Sequence, residues 1–356
     1  MALKVLVVDD SALMRKHLSQ LFAAAGFEVL VARDGTEAVE QVLAHEPDVV
    51  TLDVNMPEMD GLTALSLIMA ARPTPVVMVS SLTTKGATAT LEALAMGAID
   101  YVAKPGGTIS LSIDAIAEDL INKVRVAARA RVRPSNGRLR DRLSEERKRI
   151  RQDSGRGQSL GSAKDGEFGL VLIGVSTGGP RTLEEILPQI PEEFPWPVLV
   201  AQHMPAAFTA TLASRLDRLC ALRVLEVAQP EVIEPGTVYL ARGGTDMVVT
   251  RRNERLMAAP KPESPHHPWH PAVTVLVESA LALLPPQRLI GVELTGMGYD
   301  GAEAIAKLHR AGGKTIAESE DSAVVFGMPK ELIERGGASA ILPAPEIARQ
   351  LMRWLM

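Results

Sequence analysis

The sequence predicts an α/β protein of two doubly wound domains, each built on a mainly parallel sheet. Short apolar, β-branched segments alternate with segments whose apolar residues recur every three or four positions, over residues 1–124 and again over 168–356. Strands that alternate with helices form parallel sheets covered on both faces. Between the two series, over 125–167, this periodicity fails and arginine, serine, glycine and aspartate dominate. Such a composition predicts a flexible linker.

The first domain contains five strand–helix units, which is typical of a flavodoxin-like fold. Asp9 and Asp10 end the first strand, and Ser11 is the predicted N-cap of the helix that follows. Further helices are expected after the turn at Asp34, around residues 88–96 and up to about residue 130. The strands are predicted at residues 3–8, 27–32, 47–53, 75–81 and 101–104.

The second domain repeats the alternation and adds an antiparallel hairpin. Residues 235–241 and 246–250 are interpreted as antiparallel strands joined by the turn Arg242-Gly-Gly. The other strands are predicted at residues 169–175, 197–202, 289–294 and 314–318, and the helices at 180–187, 206–219, 302–311 and from 345.

Charge is divided unevenly along the chain. The net charge is −8 over residues 1–124, +7 over 125–167 and −4 over 168–356. DNA-reading domains are usually basic over one face, so neither domain fits that class, and 3% aromatic residues argue against base stacking. We interpret the basic linker as a solvated spacer with a frayed helix near 143–150. A docking or nucleic-acid patch is the alternative.

The sequence favours a cytoplasmic protein. Cys220 is the one cysteine, which excludes an internal disulfide and suits a reducing compartment. The first apolar run meets Asp9 too soon for a signal peptide, and no apolar run is long enough to span a bilayer. We therefore expect neither membrane insertion nor nucleic-acid binding.

Polar side chains end successive strands of the first domain. Asp9 and Asp10 follow the first strand, Asp53 ends the third, Ser80 lies at the end of the fourth and Lys104 ends the fifth. In a parallel sheet these ends meet at the edge where ligands bind. Crowded carboxylates favour a hard cation such as Mg²⁺. The hydroxyl and the ammonium group suit the oxygens of a phosphoryl group carried on Asp53.

Over residues 3–124 the sequence resembles the response-regulator receiver family. The resemblance implies that Asp53 is phosphorylated by a chemotaxis histidine kinase. It implies Mg²⁺ bound by Asp10, Asp53 and the carbonyl of Asn55, with help from Asp9. It also implies a switch hydroxyl, a rotating aromatic residue, a phosphate-binding lysine and a cis bond before the next proline, which here are Ser80, Tyr101, Lys104 and Pro105.

A serine lies at a strand-to-helix turn in the second domain. Ser176 is followed by Thr-Gly-Gly-Pro, and residues 174–178 match the pattern G-x-S-x-G. Backbone N–H groups at the start of a helix suit either of two chemistries. One is the binding of a phosphate or cofactor, and the other is a nucleophilic serine beside an oxyanion hole.

Two further strand ends favour the nucleophile. His203 follows the next strand, and Asp300 lies in the glycine-rich turn after a later one. Taken singly, His203 could be an ordinary loop histidine and Asp300 the N-cap of the helix that follows it. Together with Ser176 they predict a catalytic triad. The order Ser, His, Asp differs from that of the α/β-hydrolases, so the elbow pattern does not indicate that family.

Five motifs of the second domain resemble the catalytic domain of the chemotaxis protein-glutamate methylesterases. They are Gly174-Val-Ser-Thr-Gly-Gly-Pro180, Gln202-His-Met-Pro-Ala-Ala-Phe-Thr209, Leu294-Thr-Gly-Met-Gly-Tyr-Asp-Gly-Ala302, Ala311-Gly-Gly-Lys-Thr-Ile-Ala317 and Phe326-Gly-Met-Pro329. With the receiver in front, the resemblance covers the whole chain.

The resemblance implies a reaction and its participants. Ser176 attacks the methyl ester of a glutamate on a methyl-accepting chemotaxis receptor, with His203 as general base, Asp300 as its orienting acid and the Met297 N–H in the oxyanion hole. Glutamine deamidation is implied as a second activity, and no cofactor is expected for the esterase step. The receiver is implied to cover the triad until Asp53 is phosphorylated.

The sequence departs from the usual family pattern at three places. It has Pro271-Ala-Val-Thr274 for Pro-Ser-Val-Asp, Ala241-Arg-Gly with Asp246 for Ala-Pro-Gly with a histidine, and Glu318 where glutamine is common. None of these positions is expected to touch the triad. The cluster His266-His-Pro-Trp-His270 allows a metal site, but its prolines favour an irregular loop.

Two rival functions remain open from the residues alone. A receiver could control a nucleotide- or ligand-binding domain in which Ser176-Thr-Gly-Gly holds phosphate, or it could control transcription. Reaction of Ser176 with a fluorophosphonate would favour the esterase over the first. Absence of salt-dependent DNA binding would exclude the second.

Overall fold

The computed structural model describes residues 2–81, 83–104, 109–130, 132 and 168–356. Most of the predicted linker, including the helix expected near 143–150, lies outside the described residues, as does Pro105. Among the helices that are described, none is long and apolar enough to cross a membrane.

The first domain is a five-stranded parallel sheet in the order β2-β1-β3-β4-β5 with helices on both faces. The strands are β1 (Lys4–Val8), β2 (Glu28–Ala32), β3 (Val49–Asp53), β4 (Val76–Ser81) and β5 (Asp100–Lys104). The helices are α1 (Ala12–Ala24), α2 (Gly35–His45), α3 (Gly61–Ala71), α4 (Thr84–Met96) and α5 (Ile109–Ala127). The predicted flavodoxin-like fold is confirmed.

Side-chain caps place the starts of the first four helices. Ser11, Asp34, Asp60 and Thr83 each accept a hydrogen bond from the backbone N–H three residues later. Such caps satisfy amide groups that have no partner inside the helix. The caps therefore fix the residue at which each of these four helices begins.

The second domain is a seven-stranded parallel sheet in the order β15-β14-β13-β6-β7-β10-β8, beside a small antiparallel sheet in the order β11-β12-β9. The strands are β6 (Leu170–Val175), β7 (Val198–Gln202), β8 (Arg223–Val227), β9 (Glu231–Val232), β10 (Thr237–Ala241), β11 (Asp246–Arg252), β12 (Arg255–Lys261), β13 (Leu289–Glu293), β14 (Lys314–Glu318) and β15 (Ala340–Leu342). The helices are α6 (Gly179–Ile186), α7 (Ala206–Leu219), α8 (Val273–Leu281), α9 (Ala302–Arg310), α10 (Met328–Glu334) and α11 (Ala344–Leu355).

An antiparallel hairpin is present and contains the predicted strand at 246–250, but its predicted pairing with 235–241 is wrong. β10 lies parallel between β7 and β8, and the hairpin is instead β11–β12. All five residues of β10 are buried, which requires cover on both faces. The turn between β11 and β12 is formed by Asn253 and Glu254, whose φ angles of 48° and 63° suit a two-residue hairpin turn.

The two domains pack against each other through α4 and the start of β5. Helix α4 contacts α6 and α7. The ring of Tyr101 lies 4.5 Å from that of Phe208, centroid to centroid. The Thr177 hydroxyl donates a 2.7 Å hydrogen bond to Asp100 Oδ2. The first domain therefore touches the residue next to Ser176.

A carboxyl group is buried without a partner at the end of β13. Glu293 is fully buried, and neither of its carboxyl oxygens has a hydrogen-bond partner among the described residues. Burial, and then the charge of the nearby Asp300, raise the pKa of Glu293 well above its usual value. Burial therefore favours the protonated form of this carboxyl in the folded protein. The unfolded chain ionises it, so folding stability falls as pH rises above the ordinary carboxyl range.

We predict that Glu293→Gln stabilises the protein increasingly as pH rises, because glutamine has no proton to lose on unfolding. The melting temperature should rise at pH 8 by about 2–4 °C, which corresponds to roughly 1 kcal/mol, with no gain at pH 4. Calorimetry of both proteins across this range measures the difference.

The matched control is Glu318→Gln. Glu318 is also fully buried, but its carboxylate accepts hydrogen bonds from Thr295 N and the Ser322 hydroxyl. The control should show no gain that grows with pH. An equal gain in both variants, or a gain for Glu293→Gln at pH 4, would contradict the prediction.

Candidate active site

Ser176 lies at the carboxyl end of β6, directly before α6. Its N–H donates to Thr295 O at 3.0 Å, which ties the serine to the turn after β13. A Cβ at Gly296 would stand 2.6 Å from Ser176 Cβ, so only glycine allows this approach. Gly178, with a φ of 80°, turns the chain into α6. The serine is thus held at a tight turn beside the start of a helix.

His203 lies beside Ser176 because β7 pairs with β6. Val175 is the register partner of Gln202, and His203 N donates to Val175 O at 3.0 Å. The imidazole Nε2 donates to Asp300 Oδ2 at 2.9 Å. The other nitrogen, Nδ1, is buried and has no partner among the described residues. No hydrogen bond joins the described Ser176 and His203 side chains, so Nδ1 stays available as an acceptor.

The Asp300 carboxylate is held by donors from three directions. Besides His203, it accepts from Val273 N at 2.6 Å, Thr274 N at 3.0 Å and the Thr274 hydroxyl at 2.7 Å. Burial alone would raise the pKa of Asp300, but the hydrogen bond and charge of His203, with the bonds from Thr274, outweigh it and lower the pKa. Asp300 therefore stays ionised and keeps the Nε2 proton in place.

The alternative role suggested for Asp300, N-cap of the following helix, is wrong. Gly301 occupies that position in α9, which has no side-chain cap. Asp300 instead caps α8, 26 residues earlier in the chain, through Val273 and Thr274. The cap lies at a tertiary contact, so the local sequence carries no trace of it.

The expectation that none of the three departures touches the triad is also wrong. The Thr274 hydroxyl binds Asp300 directly, and it also accepts the N–H of Gly301 at 3.0 Å. A threonine hydroxyl donates a hydrogen bond to a carboxylate, whereas an ionised aspartate here would repel it. Comparison with the family pattern identified Thr274 as a departure, but nothing in the sequence predicts that it contacts Asp300, 26 residues away.

The turn after β13 brings Met297 to the same cavity as Ser176 and His203. Gly296 N donates to Val325 O, whereas in the described part of the chain the Met297 N–H has no acceptor. A free backbone donor beside a nucleophile can bind a developing oxyanion. Gln202, which sequence reasoning missed, donates from Nε2 to Ser176 O at 2.9 Å and fixes the backbone of the nucleophile.

The histidine-rich segment forms a loop over the site. His270 Nδ1 lies 2.9 Å from Asp246 Oδ1. Trp269 stacks on the His203 ring with a centroid distance of 5.6 Å and an interplanar angle of 3°. Among the described residues, the only His, Cys, Asp and Glu group arranged to hold a metal is in the first domain. Sequence analysis also missed Trp269, whose neighbour His203 is 66 positions away.

Both domains line the cavity in front of Ser176. Its volume is about 370 Å³, and its walls include His203 and Met297 from the second domain. Asp100, Tyr101 and Lys123 of the first domain line it as well. The first domain therefore forms part of the wall of the candidate active site.

The acidic group of the first domain lies at the carboxyl edge of its sheet. Oxygen atoms of Asp9, Asp10 and Asp53 lie within 4.8 Å of one another, an arrangement that fits a divalent cation. Lys104 Nζ donates to Asp53 Oδ2 at 2.7 Å and to Asp9 Oδ2 at 2.9 Å. Asn55 N lies 3.4 Å from Asp53 Oδ1. The structure thus brings these five predicted residues together.

Asp53 and Lys104 each shift the pKa of the other. Burial raises the pKa of the Asp53 carboxyl, and the bond and charge of Lys104 only partly offset this. Burial would lower the pKa of Lys104, but Asp53 and Asp9 together raise it. Lys104 is therefore a firm positive charge beside the carboxylate that would carry a phosphoryl group.

The other two residues predicted for the switch, Ser80 and Tyr101, are both buried. The Ser80 hydroxyl is buried and contacts Gly86 O at 3.4 Å. Tyr101 is buried against Phe208, and its hydroxyl has no partner within the described ranges. In this state Tyr101 is part of the domain interface.

Two family matches divide the chain as the fold does. Residues 5–114 match the response regulator receiver domain. Residues 171–351 match the CheB methylesterase family.

Relatives match over nearly the whole chain. A protein-glutamate methylesterase/protein-glutamine glutaminase 3 of Rhodospirillum rubrum is 55% identical over 99% of this chain and 96% of its own length. A protein-glutamate methylesterase/protein-glutamine glutaminase 2 of Rhodopseudomonas palustris is 50% identical over 99% and 98%. The crystal structure of the Thermotoga maritima CheB methylesterase catalytic domain superposes with a TM-score of 0.51 at 39% identity, covering 53% of this chain and 99% of that one. The chain therefore belongs to the CheB methylesterase family and carries a response regulator receiver domain at its N-terminal end.

Proposed function

We propose that this protein is a phosphorylation-activated serine hydrolase. It removes methyl esters from glutamates of methyl-accepting chemotaxis receptors and also deamidates receptor glutamines. The observation that carries the proposal is the 2.9 Å pairing of His203 Nε2 with an ionised Asp300 beside Ser176. The names of relatives that match nearly the whole chain support the choice of substrate.

In the first half of the reaction, Ser176 Oγ attacks the carbonyl carbon of the glutamyl methyl ester. His203 Nδ1, the nitrogen not used by Asp300, accepts the hydroxyl proton. The carbonyl oxygen becomes an oxyanion that the Met297 N–H binds. Collapse of this intermediate expels methoxide, which takes the proton from His203 and leaves as methanol.

The second half repeats the proton transfers with water. His203 removes a proton from water as its oxygen attacks the acyl-enzyme, and then returns that proton to Ser176 Oγ. Glutamate is released and the serine is restored. With a glutamine substrate, ammonia leaves in place of methanol, and the other steps are unchanged. Asp300 stabilises the imidazolium in both halves without itself becoming protonated.

We predict that Ser176→Ala and His203→Gln each lower methanol release from methylated receptor by at least about a thousandfold. A fluorophosphonate should label Ser176 in the unaltered protein but not in His203→Gln, because the hydroxyl then lacks its base. Ser214→Ala is the matched control, since Ser214 is exposed on α7 and its hydroxyl donates to Ala210 O, within the same helix. Tight nucleotide binding without labelling of Ser176 would overturn the proposal.

The first domain is the phosphorylation switch in this proposal. Its phosphodonor is the chemotaxis histidine kinase, whose phosphoryl group passes from a histidine nitrogen to an oxygen of Asp53. Mg²⁺ bound by Asp9, Asp10, Asp53 and the Asn55 carbonyl would neutralise negative charge during this transfer. Lys104 is placed to bind an oxygen of the phosphoryl group afterwards. Ser80 would take the role of the switch hydroxyl.

We predict that Asp53→Asn abolishes both Mg²⁺-dependent phosphorylation and the activation that follows it. Basal methanol release should stay within about twofold, because Asp53 takes no part in the ester reaction. Asp34→Asn is the control, since Asp34 caps α2 and lies outside the acidic group. Mass spectrometry measures phosphorylation. If Asp53→Asn were still phosphorylated, or still activated by a phosphodonor, the assignment of Asp53 would be wrong.

Activation follows from the position of the receiver over the cavity. Asp100, Tyr101 and Lys123 line the space through which a receptor side chain must reach Ser176. A phosphoryl group shifts this arrangement only if it binds better to the open state than to the closed one. Tyr101 links the phosphorylation site to the domain interface. It lies on the strand that ends in Lys104, and its ring packs on Phe208 of the second domain.

We predict that Asp100→Ala raises the activity of the unphosphorylated protein several-fold. The variant removes the Thr177–Asp100 hydrogen bond, worth about 1 kcal/mol, and so favours the open arrangement. Asp48→Ala is the control, because Asp48 binds Lys4 N away from the interface. Unchanged activity in Asp100→Ala, together with a fragment 168–356 no more active than the full chain, would contradict this mechanism.

A further inference from the structure

Trp269 covers one face of the imidazole that serves as base in the proposed function. The two rings are parallel to within 3°, with centroids 5.6 Å apart. The opposite edge of the site is also against Trp269, since a Cβ at Gly298 would lie 2.9 Å from its Cζ2. Gly298 directly follows Met297. One indole therefore contacts both His203 and the loop that supplies the oxyanion donor.

The loop that carries Trp269 is anchored by a buried carboxylate. Asp246 is fully buried and accepts from Ala272 N and from His270 Nδ1 at 2.9 Å each, and from Ser264 N at 3.2 Å. These bonds fix the loop on both sides of Trp269. Asp246 therefore holds in place the loop that carries Trp269.

We propose that Trp269 is a positioning residue that holds the His203 ring in its working orientation and stabilises its protonated form. The inference rests on the proposed function only in taking His203 as the base that activates Ser176. It assigns a role to a residue that the triad chemistry does not include.

The Trp269 indole can stabilise a protonated His203 ring through the attraction between an aromatic face and a cation. A tryptophan face attracts a cation within about 6 Å of its centroid, and the attraction strengthens where water is excluded. His203 is neutral before attack and positive in the transition state, so the interaction favours the transition state over the ground state. The parallel indole also restricts rotation of the imidazole, which keeps Nε2 on Asp300 and leaves Nδ1 free to act as the base.

The edge of Tyr299 supports the indole from outside. Its ring meets Trp269 at 83° with centroids 5.1 Å apart, and 58% of Tyr299 is exposed. An edge-to-face contact of this kind is favourable and directional. The rings of His203, Trp269 and Tyr299 thus contact one another in a row that ends at the exposed Tyr299.

The test compares Trp269→Leu with Trp269→Phe. Trp269→Leu should lower kcat for methanol release and the rate of fluorophosphonate labelling at Ser176 by roughly tenfold each, with KM changed less than twofold. Trp269→Phe keeps an aromatic face and should lose only about twofold to threefold. Trp354→Leu is the matched control. Trp354 lies on the last helix, α11, where its ring packs against Lys314 away from the site. Circular dichroism of each variant checks that the chain is folded.

The inference is overturned if folded Trp269→Leu keeps its kcat and labelling rate. Equal losses in the Leu and Phe variants, or a rise in KM with kcat unchanged, would overturn it as well, since both indicate a wall of the pocket. Labelling reports on Ser176 and His203 without a receptor ester. A protein that labels normally but releases no methanol would therefore refute the proposed substrate while the Trp269 comparison still stands.

Discussion

The structure of the active site depends on one buried charge, the carboxylate of Asp300. A carboxylate can stay ionised away from water only if donors replace its hydration. Four donors do so, from His203, Val273 and both donor groups of Thr274. Each donor comes from a different place in the chain than Asp300 itself. The need to satisfy this charge therefore fixes the start of α8, the turn after β13 and the orientation of the base together.

A second carboxyl on the same strand-turn unit shows how decisive those donors are. Glu293 lies close enough to Asp300 to be affected by its charge, yet no described group donates to it. Burial therefore favours the protonated form of Glu293, whereas the donors around Asp300 favour its ionised form. Two ionised carboxylates here would repel each other. The raised pKa of Glu293 and the lowered pKa of Asp300 thus separate the two carboxyls by their hydrogen bonds.

Sequence reasoning placed the elements and the strand-end residues well, because both depend on local pattern and on the rule that parallel strands end at one edge. Ser176, His203 and Asp300 follow from that rule without any knowledge of packing. Thr274 and Trp269 do not, since their contacts with Asp300 and His203 join segments that are 26 and 66 residues apart. The hairpin was misassigned for a related reason. β10 and β11 are adjacent in the chain, but full burial of β10 places it inside the parallel sheet.

A single strand connects the two sites of the protein. β5 begins at Asp100, which accepts a hydrogen bond from Thr177 beside the nucleophile, and ends at Lys104, which binds Asp53. Four residue steps separate them, about 13 Å at the rise of a strand. Hydrogen bonds to β4 along all five residues make this segment stiff. In the proposed mechanism, a change in what Lys104 binds would reach Tyr101 and Asp100 along this strand. At the Asp100 end of the strand, the closed interface contains the Thr177–Asp100 hydrogen bond and the Tyr101–Phe208 contact. A population shift requires interactions that differ between two states, and these two would be lost on opening.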